Sequence, residues 1–242
     1  MNILVTIPAH NEASELKTNM IKLYNYLISL KMNFTLEIVD SSSIDDTYKI
    51  AKELSNKYKN IQCISVKKEG KWRAIKESWN NADKKFDILS FMDADLATEI
   101  TYFQKLINGI EKEGYDISIG SRYSKESKTK RSFFRNLIGN GFIIIQKILF
   151  KTSYDDSQCG FKAIKHEKYN IIKKYIKNND YEGDMELLIT SEKIFKYKIK
   201  SVPVKWSEQK RTTIRFWKTI ISFLKELWKL YFVIRKLRRE RK

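Results

Sequence analysis

Histidine and cysteine are scarce in this chain, which has two of each among its 242 residues. Because only His10 and His166 are present, a metal site built from histidines is excluded and a histidine general base is not expected. Cys63 and Cys159 lie far apart and outside any zinc-ligand spacing. We therefore expect two free thiols and a reducing compartment.

Long apolar runs are also lacking. No stretch free of Asp, Glu, Lys and Arg exceeds eleven residues, whereas a membrane-spanning helix needs roughly 20 mostly apolar residues. Met1 opens directly into the strand-like NILVTI, so no signal peptide is visible. We expect a protein that is not integral to a membrane.

What the chain has in excess is positive charge. Its formal charge is +18, from 47 Lys and Arg against 29 Asp and Glu. The excess is concentrated in two segments, a net +10 over residues 210–242 and a net +6 over residues 123–151. This distribution predicts two cationic surfaces, which suit the phosphate groups of nucleic acid or of lipid.

The first 120 residues alternate between strand-like and helical patterns. Helical stripes occupy 12–30 and 45–58 between successive strands. This alternation predicts an α/β fold with a mostly parallel, doubly wound sheet and helices on both faces. The predicted strands are 2–7, 35–39, 61–66, 88–92 and 116–120.

Polar residues follow the predicted strands and should meet at the carboxyl edge of the sheet, where ligands bind in such folds. The first of these loops, residues 8–12, has no glycine, so the dinucleotide-binding fingerprint is absent. After the fourth strand, Asp93 and Asp95 flank a single alanine. Two carboxylates this close are costly to bury unless a cation compensates them. A divalent metal that bridges these carboxylates to a diphosphate would do so.

Two later segments, 132–150 and 214–236, are helical patterns rich in apolar and aromatic residues with cationic flanks. Such helices either lie in a membrane interface or pack on the protein's own core, and the sequence leaves both open. The C-terminal segment combines an apolar stripe with a polybasic end. We therefore predict a domain over 1–211 and an amphipathic membrane-interface tail over 212–242.

Several motifs in the second half make the family resemblance specific, and they accompany the DAD triplet of the fourth strand. The chain resembles the inverting GT-A glycosyltransferases of family 2, in particular the dolichyl-phosphate β-glucosyltransferases. The resemblance runs from IPAHNE to about Trp217. The motifs are GSR at 120–122, RSFFRN at 131–136, DSQCGFK at 156–162, GDMELL at 183–188 and VPVKWSE at 202–208.

The resemblance implies roles for individual residues. One set of residues, the donor group, would contact the donor nucleotide sugar. Two members of this group, Asp93 and Asp95, would also hold Mg²⁺ or Mn²⁺. Arg122 and Arg135 would face the acceptor phosphate. Gln158, Asp184 and Glu186 would lie at the sugar and acceptor end of the site. The donor group is Pro8, Asn11, Glu12, Asp40, Lys71, Asp93, Ala94 and Asp95.

The chain also departs from the family pattern around the donor pocket. The usual Asp-Asp-Gly-Ser after the second strand is here Asp40-Ser41-Ser42-Ser43, and Trp72 and Arg73 replace two glycines after Lys71. His10 replaces a common tyrosine. These differences concern the base and sugar of the donor more than the reaction type.

The resemblance predicts transfer of a hexose, with glucose from UDP-glucose favoured, to a polyprenyl or dolichyl phosphate at the cytoplasmic face of a membrane. A phosphate nucleophile already carries roughly −1.5 to −2 charge near neutral pH and needs positioning more than a base; Asp184 would be the base if the acceptor were a hydroxyl. The alternatives are GDP-mannose as donor or a glycan as acceptor. A nucleic-acid-binding protein is a remote alternative, because the basic tail is interleaved with a broad apolar face.

Overall fold

The fold was analysed in a computed structural model that describes residues 1–130, 133–208 and 216–240, with the side chains of 133–135 and 216–221 outside the description. Its strands are β1 (Asn2–Ala9), β2 (Asn33–Ser41), β3 (Ile61–Val66), β4 (Ile88–Met92), β5 (Ile117–Ser121), β6 (Lys128–Lys130), β7 (Phe161–Lys165), β8 (Ile199–Pro203) and β9 (Lys205–Ser207). Its α-helices are α1 (Leu16–Ser29), α2 (Thr47–Lys57), α3 (Lys71–Asn80), α4 (Phe103–Glu111), α5 (Phe133–Phe150), α6 (His166–Ile172), α7 (Gly183–Ile194) and α8 (Phe216–Glu240).

A seven-stranded sheet in the order β3-β2-β1-β4-β7-β5-β8 carries the fold, beside a small sheet of β6 and β9. The five strands predicted from the sequence are present, and β1, β2, β3 and β4 are all parallel to their neighbours in that set. The α/β fold with a mostly parallel sheet is therefore confirmed.

The strand β7 is the main element that the periodicity did not predict. It runs antiparallel to both of its neighbours, β4 and β5. Its sequence, FKAIK, is short and places a lysine inside an apolar run, so it lacks the alternation by which a strand is recognised. This insertion places Phe161 opposite Met92 at the end of β4, beside the two aspartates.

Helices cover both faces of the sheet, and the alternation of each strand divides its side chains between two cores. One core contains buried residues of α1, α2 and α4, and the other contains those of α3, α6 and α7. In the second core, the fully buried Trp72 and Trp79 pack edge-to-face at 5.9 Å between ring centroids. Trp72 is thus a packing residue at the base of α3.

The helix α8 packs on the protein through part of its surface. Leu227, Leu230 and Ile234 are buried against Met185 and Ile189 of α7. The Oγ of Ser222 donates a hydrogen bond of 2.7 Å to Glu182, just before α7. The predicted boundary at residue 212 lies outside the described residues, so the two-domain division stays a prediction.

Within the described ranges, no helix combines the length and the apolar character that crossing a bilayer requires.

Candidate active site

The two aspartates of the DAD triplet leave the central strand β4 in a tight turn. Asp93 N–H donates to the carbonyl of Gly160 at 3.1 Å, and Leu96 N–H donates back to the carbonyl of Asp93 at 3.1 Å. Leu96 adopts a positive φ of 49°, and the carboxylate of Asp95 accepts from Ala97 N–H at 3.0 Å. The backbone of this turn therefore fixes both carboxylates at the carboxyl edge of the sheet, as the sequence predicted.

Lys71, at the start of α3, joins Asp93 to Asp184. Its Nζ lies 2.7 Å from Asp93 Oδ1 and 3.6 Å from Asp184 Oδ2. The other carboxylate oxygen of Asp184 lies 2.6 Å from Nζ of Lys162, and both side chains of that pair are 1% exposed. Two lysines and two aspartates thus form an alternating row of charges beside Asp95, largely buried except at Asp93, whose side chain is 40% exposed.

Lys162 also donates a hydrogen bond to the carbonyl of Cys159, and its ammonium lies 5.3 Å from the centroid of the Phe91 ring. The ring of Phe91 also lies 5.2 Å from the Lys71 ammonium. Burial of a lysine requires such partners, because the ammonium loses its water. Lys162 therefore anchors the position of Asp184.

Two acids of the cleft, Asp95 and Glu12, are costly to ionise. Burial, together with the neighbouring Asp93, raises the pKa of Asp95 to about 6. Burial, with Asp95 as the next cause, raises the pKa of Glu12 to about 7. For Lys71 the charged form is favoured instead. Although burial lowers its pKa, the charges of Asp93 and Asp184 raise it overall. The cleft has an excess of negative charge that a cation would relieve.

The stability of the protein should depend on pH through these acids. Glu12 and Asp95 have higher pKa values in the folded chain than in the unfolded one, so folding binds protons there. Their contribution to stability is full at low pH and is lost as the pH rises to about 7. We expect Glu12→Gln to reduce this loss, measured by urea unfolding without metal at about pH 5 and about pH 7.5.

The matched control is Glu53→Gln on the exposed side of α2, which should leave the pH dependence of unfolding unchanged. An unchanged slope in the Glu12→Gln variant would contradict the assignment.

Gly160 lets the carboxylate of Asp93 approach the backbone. A Cβ at this position would lie 1.8 Å from Asp93 Oδ2, far inside van der Waals contact. We therefore expect Gly160→Ala to displace Asp93, to cost about 1–3 kcal/mol of stability as overpacking does, and to abolish most of the activity. Urea unfolding and a transferase assay measure the two effects.

The control for Gly160→Ala is Gly141→Ala in α5, where an added Cβ meets nothing within 4 Å. It should be neutral or stabilising by up to about 1 kcal/mol. Normal activity of the Gly160→Ala variant would mean that Asp93 has no role that depends on its position.

The loops after β1 and β2 form the other end of the cleft. His10 Nδ1 donates to the carbonyl of Ser41 at 2.7 Å, and Asn11 Nδ2 lies 3.0 Å from His10 Nε2. Asn11 adopts a φ of 56° and accepts a hydrogen bond from Ile44 N–H through its side chain at 2.9 Å. These contacts connect the first two loops, and Asn11 has a local structural role in addition to its predicted one.

Asp40, Pro8 and Ala94 lie at the same edge. Asp40 is 3% exposed and accepts a hydrogen bond from Ser65 Oγ at 3.1 Å. Pro8 pairs with Val39 in the sheet, and the carbonyl of Ala94 accepts from Asn19 Nδ2 at 3.0 Å. The strand ends thus bring the predicted donor residues to one edge of the sheet. The carboxylate of Asp40 is already engaged there by Ser65.

Arg122, at the end of β5, forms a buried ion pair. Its Nε and Nη2 donate to the two oxygens of Asp156 at 2.7 and 2.9 Å. The guanidinium also lies 5.7 Å from the centroid of the Trp206 ring. Although burial raises the pKa of Asp156, the charge of Arg122 lowers it overall. The structure therefore gives Arg122 a positioning partner that the sequence did not predict.

The predicted acceptor-end residues do not all lie beside Asp93 and Asp95. Glu186 accepts hydrogen bonds from the N–H groups of Lys177 and Asn178, both at 2.8 Å, and so holds the loop before α7. The Nε2 of Gln158 is buried without a hydrogen-bond partner among the described residues. The side chain of Arg135 lies outside the described residues, and among those residues no group of three or more His, Cys, Asp and Glu could hold a metal alone.

Lys162, Gly160 and Asp156 were not predicted as site residues. All three belong to the DSQCGFK segment that carries much of the family resemblance. The signal was present in the motif, but a lysine in a strand pattern gives no indication that it will be buried beside a carboxylate.

Comparisons with known proteins agree with this architecture. The sequence model of glycosyl transferase family 2 matches residues 4–181. A solved structure of glucosyl-3-phosphoglycerate synthase from Mycobacterium tuberculosis, in complex with Mn²⁺, UDP and glucosyl-3-phosphoglycerate, superimposes with a TM-score of 0.71. That similarity covers 95% of this chain and 79% of that one at 17% identity, so it shows the fold alone.

Several curated relatives match over most of this chain, and two of them illustrate the similarity. The dolichol-phosphate mannosyltransferase of Pyrococcus furiosus is 32% identical over 235 residues, covering 95% of this chain and 64% of the relative. The human dolichyl-phosphate β-glucosyltransferase is 30% identical over 230 residues, covering 88% of this chain and 70% of the relative. The chain thus spans about two thirds of the length of these relatives. With three quarters of its length matched by the family model, the chain belongs to glycosyl transferase family 2.

Proposed function

We propose that this protein transfers a hexose, with inversion, from a nucleotide sugar to a polyprenyl or dolichyl phosphate. The favoured donor is UDP-glucose. The observation that carries the proposal is the charge row of Lys71, Asp93, Asp184 and Lys162 beside Asp95. Its position at the carboxyl edge of a family 2 sheet, together with the name of the human relative, supports this substrate pair.

The residues present fit a divalent metal that arrives with the donor. Asp93 and Asp95 supply carboxylate oxygens, the ligands that Mg²⁺ and Mn²⁺ prefer. Burial and the neighbouring Asp93 raise the pKa of Asp95, so a bound cation would stabilise its ionised form. When bound, such an ion acts as a Lewis acid for the negative charge that develops on the leaving diphosphate.

Lys71 supplies the protein's own positive charge at this point. Its ammonium lies beside Asp93 and Asp184, with the ring of Tyr181 5.9 Å away. In the proposed reaction it faces the donor phosphates and helps to hold the leaving group. Because a lysine ammonium is a point charge on a flexible stem, it can turn from a carboxylate to a phosphate with little change elsewhere.

The surroundings of Asp184 favour a phosphate nucleophile over a hydroxyl. Each of its carboxylate oxygens faces a lysine ammonium, one at 2.6 Å and the other at 3.6 Å. Both oxygens are therefore already engaged by ammonium groups, and neither is left free to accept a hydrogen bond from an acceptor hydroxyl. A phosphate monoester needs no proton removed, and the role proposed for Asp184 is to position Lys71.

The acceptor lipid implies a membrane surface, here the cytoplasmic face. The helix α5 exposes Leu137, Ile144 and Ile148, with Ile148 72% exposed, and α8 exposes Trp228 and Phe232. Such apolar and aromatic surfaces with cationic flanks favour peripheral binding at the interface. The packing of α8 on α7 also supports a helix that binds the protein with one face and the membrane with another.

A second candidate keeps the fold and changes the donor. The relative from Pyrococcus furiosus is a mannosyltransferase and is 32% identical, slightly more than the human glucosyltransferase at 30%. GDP-mannose is therefore the competing donor.

A donor panel tests both candidates. The full chain is incubated with dolichyl phosphate, Mn²⁺ or Mg²⁺ and radiolabelled UDP-glucose, UDP-galactose, UDP-N-acetylglucosamine or GDP-mannose. A product that enters the organic phase with UDP-glucose alone supports the favoured proposal, and a product with GDP-mannose alone supports the second. No lipid product with any donor would overturn both.

A further inference from the structure

The C-terminal half of α8 carries a stripe of exposed aromatic and cationic residues. Trp228, Phe232, Arg235 and Arg239 follow one another at intervals of four, three and four residues, which places them on one side of a helix. Trp228 is 53% and Phe232 61% exposed. This side is distinct from the buried one that packs on α7.

A cavity of about 320 Å³ opens beside this stripe, between the C-terminal ends of α5 and α8. Its volume lies at the lower end of the roughly 300–1,000 Å³ of small-molecule sites. The lining has an apolar part and a cationic part, and it shares no residue with the candidate active site. It consists of Leu149, Phe150, Tyr231, Ile234, Arg235, Arg238 and Arg239.

The arginines of this cavity differ in their partners from Lys229 and Lys236 of the same helix. Lys229 lies 2.5 Å from Glu226, and Lys236 lies 3.8 Å from Glu240. In contrast, no described carboxylate lies within 4 Å of any of the three guanidiniums. Three guanidiniums around one opening, none of them paired with a carboxylate of the described ranges, attract an anion, and their planar donor sets suit phosphate oxygens.

The apolar part of the lining indicates where that phosphate comes from. Tyr231 lines the cavity, and its ring contacts Trp228 at 6.1 Å and Phe232 at 5.6 Å between centroids. A free phosphate ion has no use for this continuous aromatic surface. A phospholipid would use this surface, because its acyl chains would continue from the headgroup along the exposed rings.

We propose that this cavity, formed by the ends of α5 and α8, binds the phosphate of an anionic phospholipid headgroup. The three arginines hold the phosphate, and Trp228 and Phe232 enter the interface beside it. The site is separate from the one that takes the acceptor. The proposal rests on the membrane-surface part of the proposed function. Phosphate binding at this site orients the protein by fixing α8 at the headgroup level.

The test is flotation of the full chain with vesicles of phosphatidylcholine alone or mixed with phosphatidylglycerol. The variant is Arg235→Gln/Arg238→Gln/Arg239→Gln, and the control is Lys225→Gln/Lys229→Gln/Lys236→Gln, which removes the same charge from the same helix. Any loss of three charges weakens binding to an anionic surface. We expect the arginine variant to lose at least ten-fold more affinity than the lysine variant.

Three outcomes would overturn the proposal. Equal losses in the two variants would mean that charge alone matters, and no binding of the unchanged chain to anionic vesicles would mean that the surface is not used. Inorganic phosphate that raises Tm as much as the phospholipid does, and only when the arginines are present, would mean a site for the free ion. All variants are first shown to keep the Tm and circular dichroism of the unchanged chain.

The donor panel separates this proposal from the proposed function. With the acceptor dispersed in detergent, we expect the arginine variant to keep the transferase activity of the unchanged chain. If no donor gives a lipid product but the two variants still differ in flotation, the proposed function fails and the lipid site stands. If a lipid product forms but the two variants float equally, the proposed function stands and the lipid site fails.

Discussion

Replacing Asp95 by asparagine is expected to lower the rate of sugar transfer by roughly 100-fold or more. The substitution keeps the shape of the side chain and the acceptor for Ala97 N–H, but it removes one of two carboxylates that face the incoming cation. The measurement is the rate of transfer at saturating donor, together with the increase in Tm that UDP causes with and without Mn²⁺. We expect the variant to lose the Mn²⁺-dependent part of that increase.

The stability of the metal-free variant separates this effect from unfolding. Asp95 is a carboxylate whose ionisation burial opposes, so its neutral replacement should give a Tm no lower than that of the unchanged chain. The matched control is Asp83→Asn, in the exposed turn before β4, where the carboxylate side chain is 60% exposed. Full activity of the Asp95→Asn variant, or Mn²⁺-dependent UDP binding equal to that of the control, would contradict the proposed metal site.

Replacing Lys162 by methionine should give the largest change in stability. Removing one partner of a buried ion pair costs about 3–5 kcal/mol, because the other charge is left without compensation. Here Lys71 stays 3.6 Å from Asp184 and takes part of that charge, so we expect a loss near the lower limit, about 3 kcal/mol. Urea unfolding at neutral pH measures it, and the transferase rate should fall as Asp184 loses its anchor.

Two further variants make the Lys162 prediction specific. Lys165→Met changes the same strand at a lysine whose side chain is 29% exposed and lies 3.7 Å from Asp116, so it should cost less than about 1 kcal/mol. Lys162→Met/Asp184→Leu removes both buried charges and should recover part of the stability lost by the single change. A loss below about 1 kcal/mol for Lys162→Met would show that Asp184 does not depend on it.

The parallel half of the fold could be predicted because its physical signals are local. Apolar runs bounded by polar turns mark the strands. The run ILSFM, for example, coincides with the observed strand β4. The position of Asp93 and Asp95 followed from the same reasoning, since the carboxyl ends of parallel strands share an edge. Their neighbours in space were harder to predict.

What the sequence could not supply depends on contacts between distant segments. Lys162 is far from Asp184 along the chain, and only the register of β7 against β4 and the packing of α7 bring them together. Glu186 was predicted at the acceptor end, yet it holds the loop at Lys177 and Asn178. Arg122 likewise gained Asp156 as a partner, which residue spacing alone does not indicate.

The antiparallel strand β7 has a consequence for the order in which this protein can assemble during synthesis. The strands β1 to β4 can pair as soon as they leave the ribosome, but β5 lies between β7 and β8 in the sheet, and both emerge later. Until then β4 presents an open edge, which is where nascent chains associate wrongly. The turn that carries the DAD triplet also acquires its bond to Gly160 only when that segment arrives. Competence for chemistry is therefore among the last properties that the growing polypeptide acquires.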